Sequence, residues 1–301
     1  MKTSITSIAK LAGGLALMAA SGVALASVTN TKHNLGAWGT NNHTTGTTEI
    51  CIFCHTPHGG NQQVAAPLWN RTVSSTSVYT RFSAMNRITF DADEAPVGSV
   101  SIACLSCHDG TQAMNAVINS PGSDSIYTTG AGAWSQTNFM STLNASDNGS
   151  TTGDIIYLGT DLRNDHPISM QYGGGGLSTT TTLGATRDKD FAQAGTVTGG
   201  FGSTAASHAT TSVGNFITGS GTGAVNYVLL TGGSKWYVDT GTAGYQGSDF
   251  PLYTRTDGPN NTAQPYVECA TCHDPHSANS TFLRLPGGNK GSQVCLTCHA
   301  K

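Results

Sequence analysis

The sequence is poor in charge, in aromatic side chains and in long apolar runs. Charged residues make up 10% and aromatic residues 7% of its 301 positions, and an ordinary globular domain has roughly 25% charged residues. No cluster of lysine or arginine predicts nucleic-acid binding. No apolar run reaches the roughly 20 residues that a membrane-spanning helix needs. We therefore expect neither a nucleic-acid partner nor a membrane span.

Residues 1–26 have the pattern of a secretory signal peptide. Lys2 and Lys10 supply positive charge, an apolar stretch occupies residues 11–23, and Ala24-Leu25-Ala26 matches a small-residue cleavage site. We expect export through the periplasm and a mature chain of residues 27–301. Loss of the two lysines would change the net charge from −3 to −5, with 12 basic residues against 17 acidic ones.

Glycine is abundant, with 38 residues, nearly twice the average share of about 7%. Glycine and serine/threonine tracts at 173–182 and 195–202 predict turns and loops. The β-rich runs 225–230 and 235–239 flank Thr231-Gly232-Gly233-Ser234 and predict a hairpin. Residues 154–158 predict another short strand. The expected fold is coil-rich, with few short helices and small β-hairpins.

Cysteine is absent outside four Cys-x-x-Cys-His motifs. This pentapeptide is the attachment signature of c-type haem, because two thiols bond one porphyrin edge and the histidine binds the iron from one face. Zinc or disulfides are the alternatives, but neither requires a histidine after every cysteine pair. We therefore predict four covalently bound haem c groups. The attachment residues are Cys51, Cys54, Cys104, Cys107, Cys269, Cys272, Cys295 and Cys298.

The motifs divide the mature chain into three parts of a single tetrahaem domain. Residues 27–109 hold the first two motifs, residues 110–268 form a Gly/Ser/Thr-rich wrapping segment, and residues 269–301 hold the last two. The chain has too little aliphatic side chain for an ordinary core of its length. We expect it to wrap around a row of stacked haems, whose apolar macrocycles would form much of the core.

The remaining histidines decide whether any iron is open to a substrate. The proximal ligands are His55, His108, His273 and His299, and six histidines are left for the opposite faces. Distal ligation is predicted for His58, His276, His166 and His33, whereas His43 and His208 stay open between ligand and surface residue. Histidine is favoured over the alternatives Met85, Met114, Met140 and Met170. Bis-His ligation leaves no substrate position and favours electron transfer over catalysis.

Two of the distal candidates follow a proximal histidine by three residues. His58 follows His55, and His276 follows His273. Neighbours this close cannot bind opposite faces of one iron, so each pair would hold two different haems and bring them together. The alternative is that His58 and His276 bond haem propionates. Asp165, next to His166, is a candidate carboxylate partner for that imidazole.

Several segments resemble a known family. Residues 32–35 (Lys-His-Asn-Leu), 51–59, 66–71 (Ala-Pro-Leu-Trp-Asn-Arg) and 165–169 resemble secreted multihaem cytochromes, and most closely the OmcE-type tetrahaem cytochromes, which assemble into extracellular filaments called nanowires. The resemblance covers both haem regions and fits residues 170–250 poorly. It implies a continuous haem stack with bis-His ligation throughout. It also implies that His58 binds a haem of the neighbouring protomer.

Three functions remain open on these grounds. The leading hypothesis is a secreted, non-enzymatic subunit of an end-to-end polymer, loaded by redox partners in the cell envelope and located outside the cell or at its surface. The second is a soluble periplasmic tetrahaem carrier. The third is a haem reductase with one five-coordinate iron, which would need fewer distal histidines than haems.

Overall fold

A computed structural model describes residues 28–37, 46–85, 92–120, 157–175, 188, 190–191, 194–197, 225–230, 233–238, 240, 247–259 and 264–299. The predicted signal peptide, His43, His208 and Met140 lie outside these ranges. All eight cysteines and the other eight histidines are described.

Three short α-helices each contain one of the cysteine pairs. Helix α1 spans Ser101–His108, α2 spans Cys269–Cys272 and α3 spans Gln293–Cys298. Three of the four motifs thus lie in short helices of the kind that the sequence predicts. Single turns of 3-10 helix lie elsewhere in the described chain, at Val28–Asn30, Thr76–Val78, Phe82–Met85, Leu162–Asn164, Tyr172–Gly174, Ser280–Phe282 and Lys290–Ser292. In the part of the chain that is described, no helix is long and apolar enough to cross a membrane.

Six strands form one sheet, in the order β1-β6-β5-β4-β3-β2. Every neighbouring pair is antiparallel except β2 and β3, which are parallel. The sheet is larger than the isolated hairpins expected from the sequence. Its strands are β1 at Met170–Gln171, β2 at Ala194–Val197, β3 at Val225–Leu230, β4 at Gly233–Val238, β5 at Phe250–Arg255 and β6 at Gln264–Val267.

Strands β3 and β4 confirm the predicted hairpin. Leu230 pairs with Gly233, so β4 begins two residues before its predicted start. The other predicted strand is wrong in its described part, because Tyr157 and Leu158 belong to no strand. Residues 154–156 lie outside the described ranges.

Apolar side chains gather in three small clusters rather than in one core, and cysteines lie at the edge of each. Cys272 and Cys298 pack against the sheet cluster of Tyr172, Val238, Phe250 and Leu252. Cys54 packs against a second cluster, which includes Trp69, Ile102 and Leu105. Cys54 and Cys107 also pack against the third, formed by Ile52, Phe53 and Met114. Groups attached to these sulfurs would therefore lie beside apolar surface.

A buried ion pair joins the sheet to the second and third motifs. The Arg255 guanidinium on β5 donates to Glu268, at 2.8 Å, and their side chains are 5% and 0% exposed. Ser101 of α1 donates to the same carboxylate and accepts a hydrogen bond from the backbone N–H of Cys269. Burial raises the pKa of Glu268, and Arg255 opposes that rise. This network fixes the start of α2 against the start of α1.

Replacement of Arg255 by methionine should destabilise the protein by about 3–5 kcal/mol, because a buried carboxylate would lose its partner. With its raised pKa, Glu268 is neutral in acid and needs no partner there. The loss should therefore grow as the pH rises through that pKa. Denaturant unfolding of the haem-loaded protein at acidic and neutral pH measures it.

Arg163→Met is the matched control. Arg163 pairs with Asp161 at 2.6 Å, but the two side chains are 47% and 53% exposed, so its loss should cost much less stability than the loss of Arg255. Equal effects of the two substitutions would contradict a special role of the buried pair.

Candidate functional site

Each Cys-x-x-Cys-His motif forms one helical turn, whether or not it belongs to a longer helix. The histidine N–H donates to the carbonyl of the first cysteine at 2.8 Å for His55, 3.1 Å for His273 and 2.9 Å for His299. Residues three or four positions apart share a face of a helical turn. The turn therefore places both thiols and the imidazole on one side, as attachment to one porphyrin requires. All eight cysteines are free, so none is used in a disulfide.

The first two motifs lie side by side. Burial, and then the neighbouring Cys107, raise the pKa of the Cys54 thiol to about 12. The Cys104 thiol hydrogen-bonds to Cys269, which together with burial raises its pKa well above the usual value. The second motif therefore touches the third as well as the first.

The third and fourth motifs are neighbours too. Burial and then Cys272 raise the pKa of the Cys298 thiol. Motifs that are successive along the chain are therefore neighbours in space.

Two pairs of histidine rings lie at the separation expected for two imidazoles that bind one metal ion. The ring centroids of His55 and His276 are 6.0 Å apart with planes 20° from parallel, and those of His33 and His108 are 6.3 Å apart at 69°. An imidazole nitrogen binds a metal at about 2 Å, so two rings on opposite faces of one ion have centroids roughly 6 Å apart. Each pair joins a predicted proximal ligand to a predicted distal one. His276 thus lies beside the predicted proximal histidine of the first motif rather than that of the third motif, which it follows in the chain.

His166 lies near His299. Burial lowers the pKa of His166, and His299 is the histidine that lowers it most, against the opposing hydrogen bond to Pro167. On its other side His299 contacts the Phe191 ring, with centroids 4.5 Å apart. His166 can therefore serve the fourth motif. His273 lowers the pKa of His166 as well, by less than His299 does, and no ring of another described histidine stacks on that of His273.

Backbone carbonyls fix the orientation of four imidazoles. The Nδ1 atoms of these rings lie 2.8–3.3 Å from the carbonyls, which can only accept, so each Nδ1 carries the hydrogen and leaves Nε2 free to bind a metal. The pairs are His55 with Pro67, His273 with Thr281, His166 with Pro167 and His33 with Pro275.

The predicted partnership between Asp165 and His166 is wrong. His166 bonds the carbonyl of Pro167 instead, and Asp165 Oδ2 has no hydrogen-bond partner in the described part of the chain. The carboxylate that does face an imidazole is Asp274, whose oxygen lies 3.6 Å from Nδ1 of His276. The sequence signal for it was the Asp-Pro-His run at 274–276, which resembles Asp-His-Pro at 165–167 in composition but not in order.

Phe282 is a further contact that the sequence did not predict. Its ring stacks on His33 with centroids 4.0 Å apart. Thr281 and Phe282 both have positive φ angles, 53° and 58°, which are unusual for side chains of this size. The strained turn places the Thr281 carbonyl on His273 and the Phe282 ring on His33. It therefore orients ligands of two different sites.

His58 is presented at the surface. Its carbonyl accepts hydrogen bonds from Thr56 Oγ1 at 3.0 Å and Asn119 Nδ2 at 2.9 Å, while the residue is exposed. Within the described ranges no histidine ring faces it. His58 thus combines an anchored backbone carbonyl with an exposed position.

Two of the methionines considered as ligands belong to the interior. Met114 is 2% exposed and packs with Ile52 and Phe53, and Met170 is 6% exposed in β1. Met85 is partly buried, at the end of a 3-10 turn. The histidine rings therefore remain the better distal ligands.

The arrangement fits haem better than a bare metal ion. In the portion described, no three His, Cys, Asp or Glu side chains converge on one ion. The Trp69 ring packs edge-on against His55 at 6.0 Å, and its Nε1 donor is buried without a partner among the described residues. A haem at the first motif would bring propionate acceptors for such a donor.

Comparison with known proteins agrees with this chemistry. Residues 262–301 match the family model for the doubled CXXCH motif and contain the third and fourth motifs. A comparison with curated proteins gave no match. The motifs indicate covalently bound haem c, and their doubling supports a multihaem c-type cytochrome that carries electrons.

We expect His276→Ala and His33→Ala each to open one coordination position, because each substitution removes one of two facing imidazoles. Each reduced variant should bind carbon monoxide at one haem and show a high-spin signal that the parent lacks. Lys32→Ala, next to His33, is the control and should stay low-spin. Unchanged low-spin spectra in both histidine variants would exclude these pairings.

Proposed function

We propose that the chain is a tetrahaem c-type cytochrome that conducts electrons along closely spaced bis-His haems, as the repeating subunit of an extracellular filament. The observation that carries the proposal is the spatial order of the motifs, with Cys54 beside Cys107, Cys104 beside Cys269, and Cys298 beside Cys272. Contacts between successive motifs support a continuous row of cofactors. Haem, when bound, supplies one-electron chemistry.

The side chains have separate tasks in this proposal. The eight cysteines hold four haems, and His55, His108, His273 and His299 bind the irons from one side. His276, His33 and His166 close the first, second and fourth sites from the other side, which excludes water and substrates. Carbonyl and carboxylate partners of the imidazoles hold the ligand geometry fixed, so that electron transfer requires little rearrangement.

The sixth ligand of the third site is proposed to come from a second copy of the chain. His58 is exposed on an anchored backbone, and His166, a described histidine that interacts with His273, interacts more strongly with His299. A His58 imidazole from a neighbouring protomer would close the site and extend the haem row. His43 and His208 are the competing donors within the same chain.

The sequence pattern of residues 1–26 supports export. We propose an extracellular or cell-surface location, with electrons supplied by redox partners in the cell envelope. A soluble periplasmic carrier is the alternative outcome of the experiments below.

Haem number is tested by mass spectrometry of the secreted protein and of four variants, each with both cysteines of one motif replaced by serine. The parent should carry four haems and each variant should carry three, because each motif attaches one haem independently. A parent mass with fewer than four haems would refute the tetrahaem assignment. Cys51/Cys54→Ser is the most informative variant, since the first motif lies outside the segment that matches the family model.

His58→Ala should abolish filaments without loss of haem, because the substitution removes the proposed bond between protomers. Electron microscopy of secreted parent and variant protein measures this directly. The dispersed variant should bind carbon monoxide at one haem per chain. Gln62→Ala, at a nearby exposed position, should form filaments normally. Filaments of unchanged yield in His58→Ala would exclude the bond, and a parent that forms none would favour the soluble carrier.

A further inference from the structure

Asn70 and Arg71 are fully buried polar neighbours between the first two haem motifs. Asn70 is hydrogen-bonded to the first motif. Its side-chain amide donates to the carbonyl of Ile52 at 2.7 Å, and its backbone N–H donates to the carbonyl of Cys54 at 2.8 Å. Both acceptors lie inside the first Cys-x-x-Cys-His unit.

Arg71 is hydrogen-bonded to the second motif. Its guanidinium donates to the carbonyl of Ser106, inside the second Cys-x-x-Cys-His unit, at 3.1 Å. It also donates to the carbonyls of Ala113 and Met114 at 2.8 and 2.7 Å. The dipeptide therefore bridges the two motifs, and the guanidinium lies against the second with its backbone held at the first.

No carboxylate in the described part of the chain forms an ion pair with Arg71. The described acceptors of its guanidinium are three neutral carbonyls, and its Nε is buried without a partner among the described residues. Asp109, the residue after the second motif, accepts its hydrogen bonds from Tyr79, Ser74 and Thr111 rather than from Arg71. A guanidinium remains protonated in proteins. The interior between the first two motifs therefore contains a permanent positive charge.

Arg255, the other deeply buried arginine, shows the contrast. It is ion-paired with both Glu268 and Asp257, at 2.8 and 2.7 Å, so its charge is cancelled close to the second and third motifs. Burying an uncompensated cation is costly, and Arg71 lacks the compensation that Arg255 has. The thiol of Cys54 lies within reach of the Arg71 charge, which opposes the pKa rise that burial and Cys107 cause there.

A buried charge acts strongly on its surroundings. The low dielectric constant of the interior strengthens its field, and dissolved salt screens it little. Reduction of a bis-His haem adds one electron and makes or breaks no bond, so the site becomes more negative by one charge. A fixed cation nearby stabilises that product.

We propose that Arg71 is a fixed cation that raises the reduction potentials of the haems attached at the first two motifs above those at the third and fourth. The proposal rests on the haem attachment proposed above, but not on filament formation. The reduction potentials would then differ along the row, and electrons would be held more tightly by the haems of the first two motifs.

Arg71→Met tests this by spectroelectrochemical titration of the haem-loaded protein. At a given applied potential, the reduced-to-oxidised ratio should fall about tenfold for the haems of the first two motifs. This corresponds to about 59 mV for a one-electron couple. The other haems should not shift, and the change should persist at high salt. Arg71→Lys keeps the charge and should leave the potentials near the parent values. Arg163→Met removes an exposed arginine and should change nothing.

Haem absorbance after denaturation establishes that each variant carries its full set of haems, so a lost haem is not mistaken for a shifted potential. Parent-like potentials in a fully loaded Arg71→Met protein would overturn the proposal. If neither Arg71 variant folds, a haem-resolved NMR redox titration of the parent decides. The first two haems should be reduced before the last two, and the reverse order would overturn the proposal.

Discussion

Contacts between histidines that are far apart in the sequence are the constraint on which the rest of the structure depends. His276, three residues beyond the third motif's ligand, faces His55 of the first motif, and His33 faces His108 of the second. A metal bond between each facing pair would close long loops of chain and restrict the unfolded state. A chain rich in glycine and poor in charge gains little from helix propensity or surface ion pairs, so such crosslinks would contribute much of its order.

The protein around these crosslinks is divided into small units. Three apolar clusters meet the cysteines at their edges, and two buried arginines tie neighbouring motifs together. Arg255 works through a compensated ion pair that joins the second and third motifs to the sheet. Arg71 joins the first and second motifs through carbonyls alone. Both arginines thus hold neighbouring motifs together. The charge of Arg255 is paired with carboxylates, whereas that of Arg71 meets only carbonyls among the described residues.

Local features of the structure followed from the sequence. The composition predicted few short helices, and the β-rich runs around Thr231 and Gly232 predicted a hairpin. The hairpin signal lies within one short, continuous stretch of chain. The six-stranded sheet did not follow, because the pairing of β1 with β6 and the parallel pairing of β2 with β3 join distant segments.

The candidate site was predictable as a set of residues but not as a set of partners. Counting histidines identified those available, whereas which ring faces which depends on how distant segments pack. Asp165 failed as a partner because the Pro167 carbonyl satisfies His166. Arg71 carried no signal beyond its place in a resembling segment, since only burial makes its charge important.

A high-resolution electron-microscopy reconstruction of the secreted, haem-loaded material tests the central claim most directly. The account predicts four haems in one row per subunit, with His55 and His276 on the first iron and His33 and His108 on the second. It further predicts His58 on the third iron of the adjacent subunit. Any other ligand on the first two irons would contradict the account, as would haems too far apart to form one row.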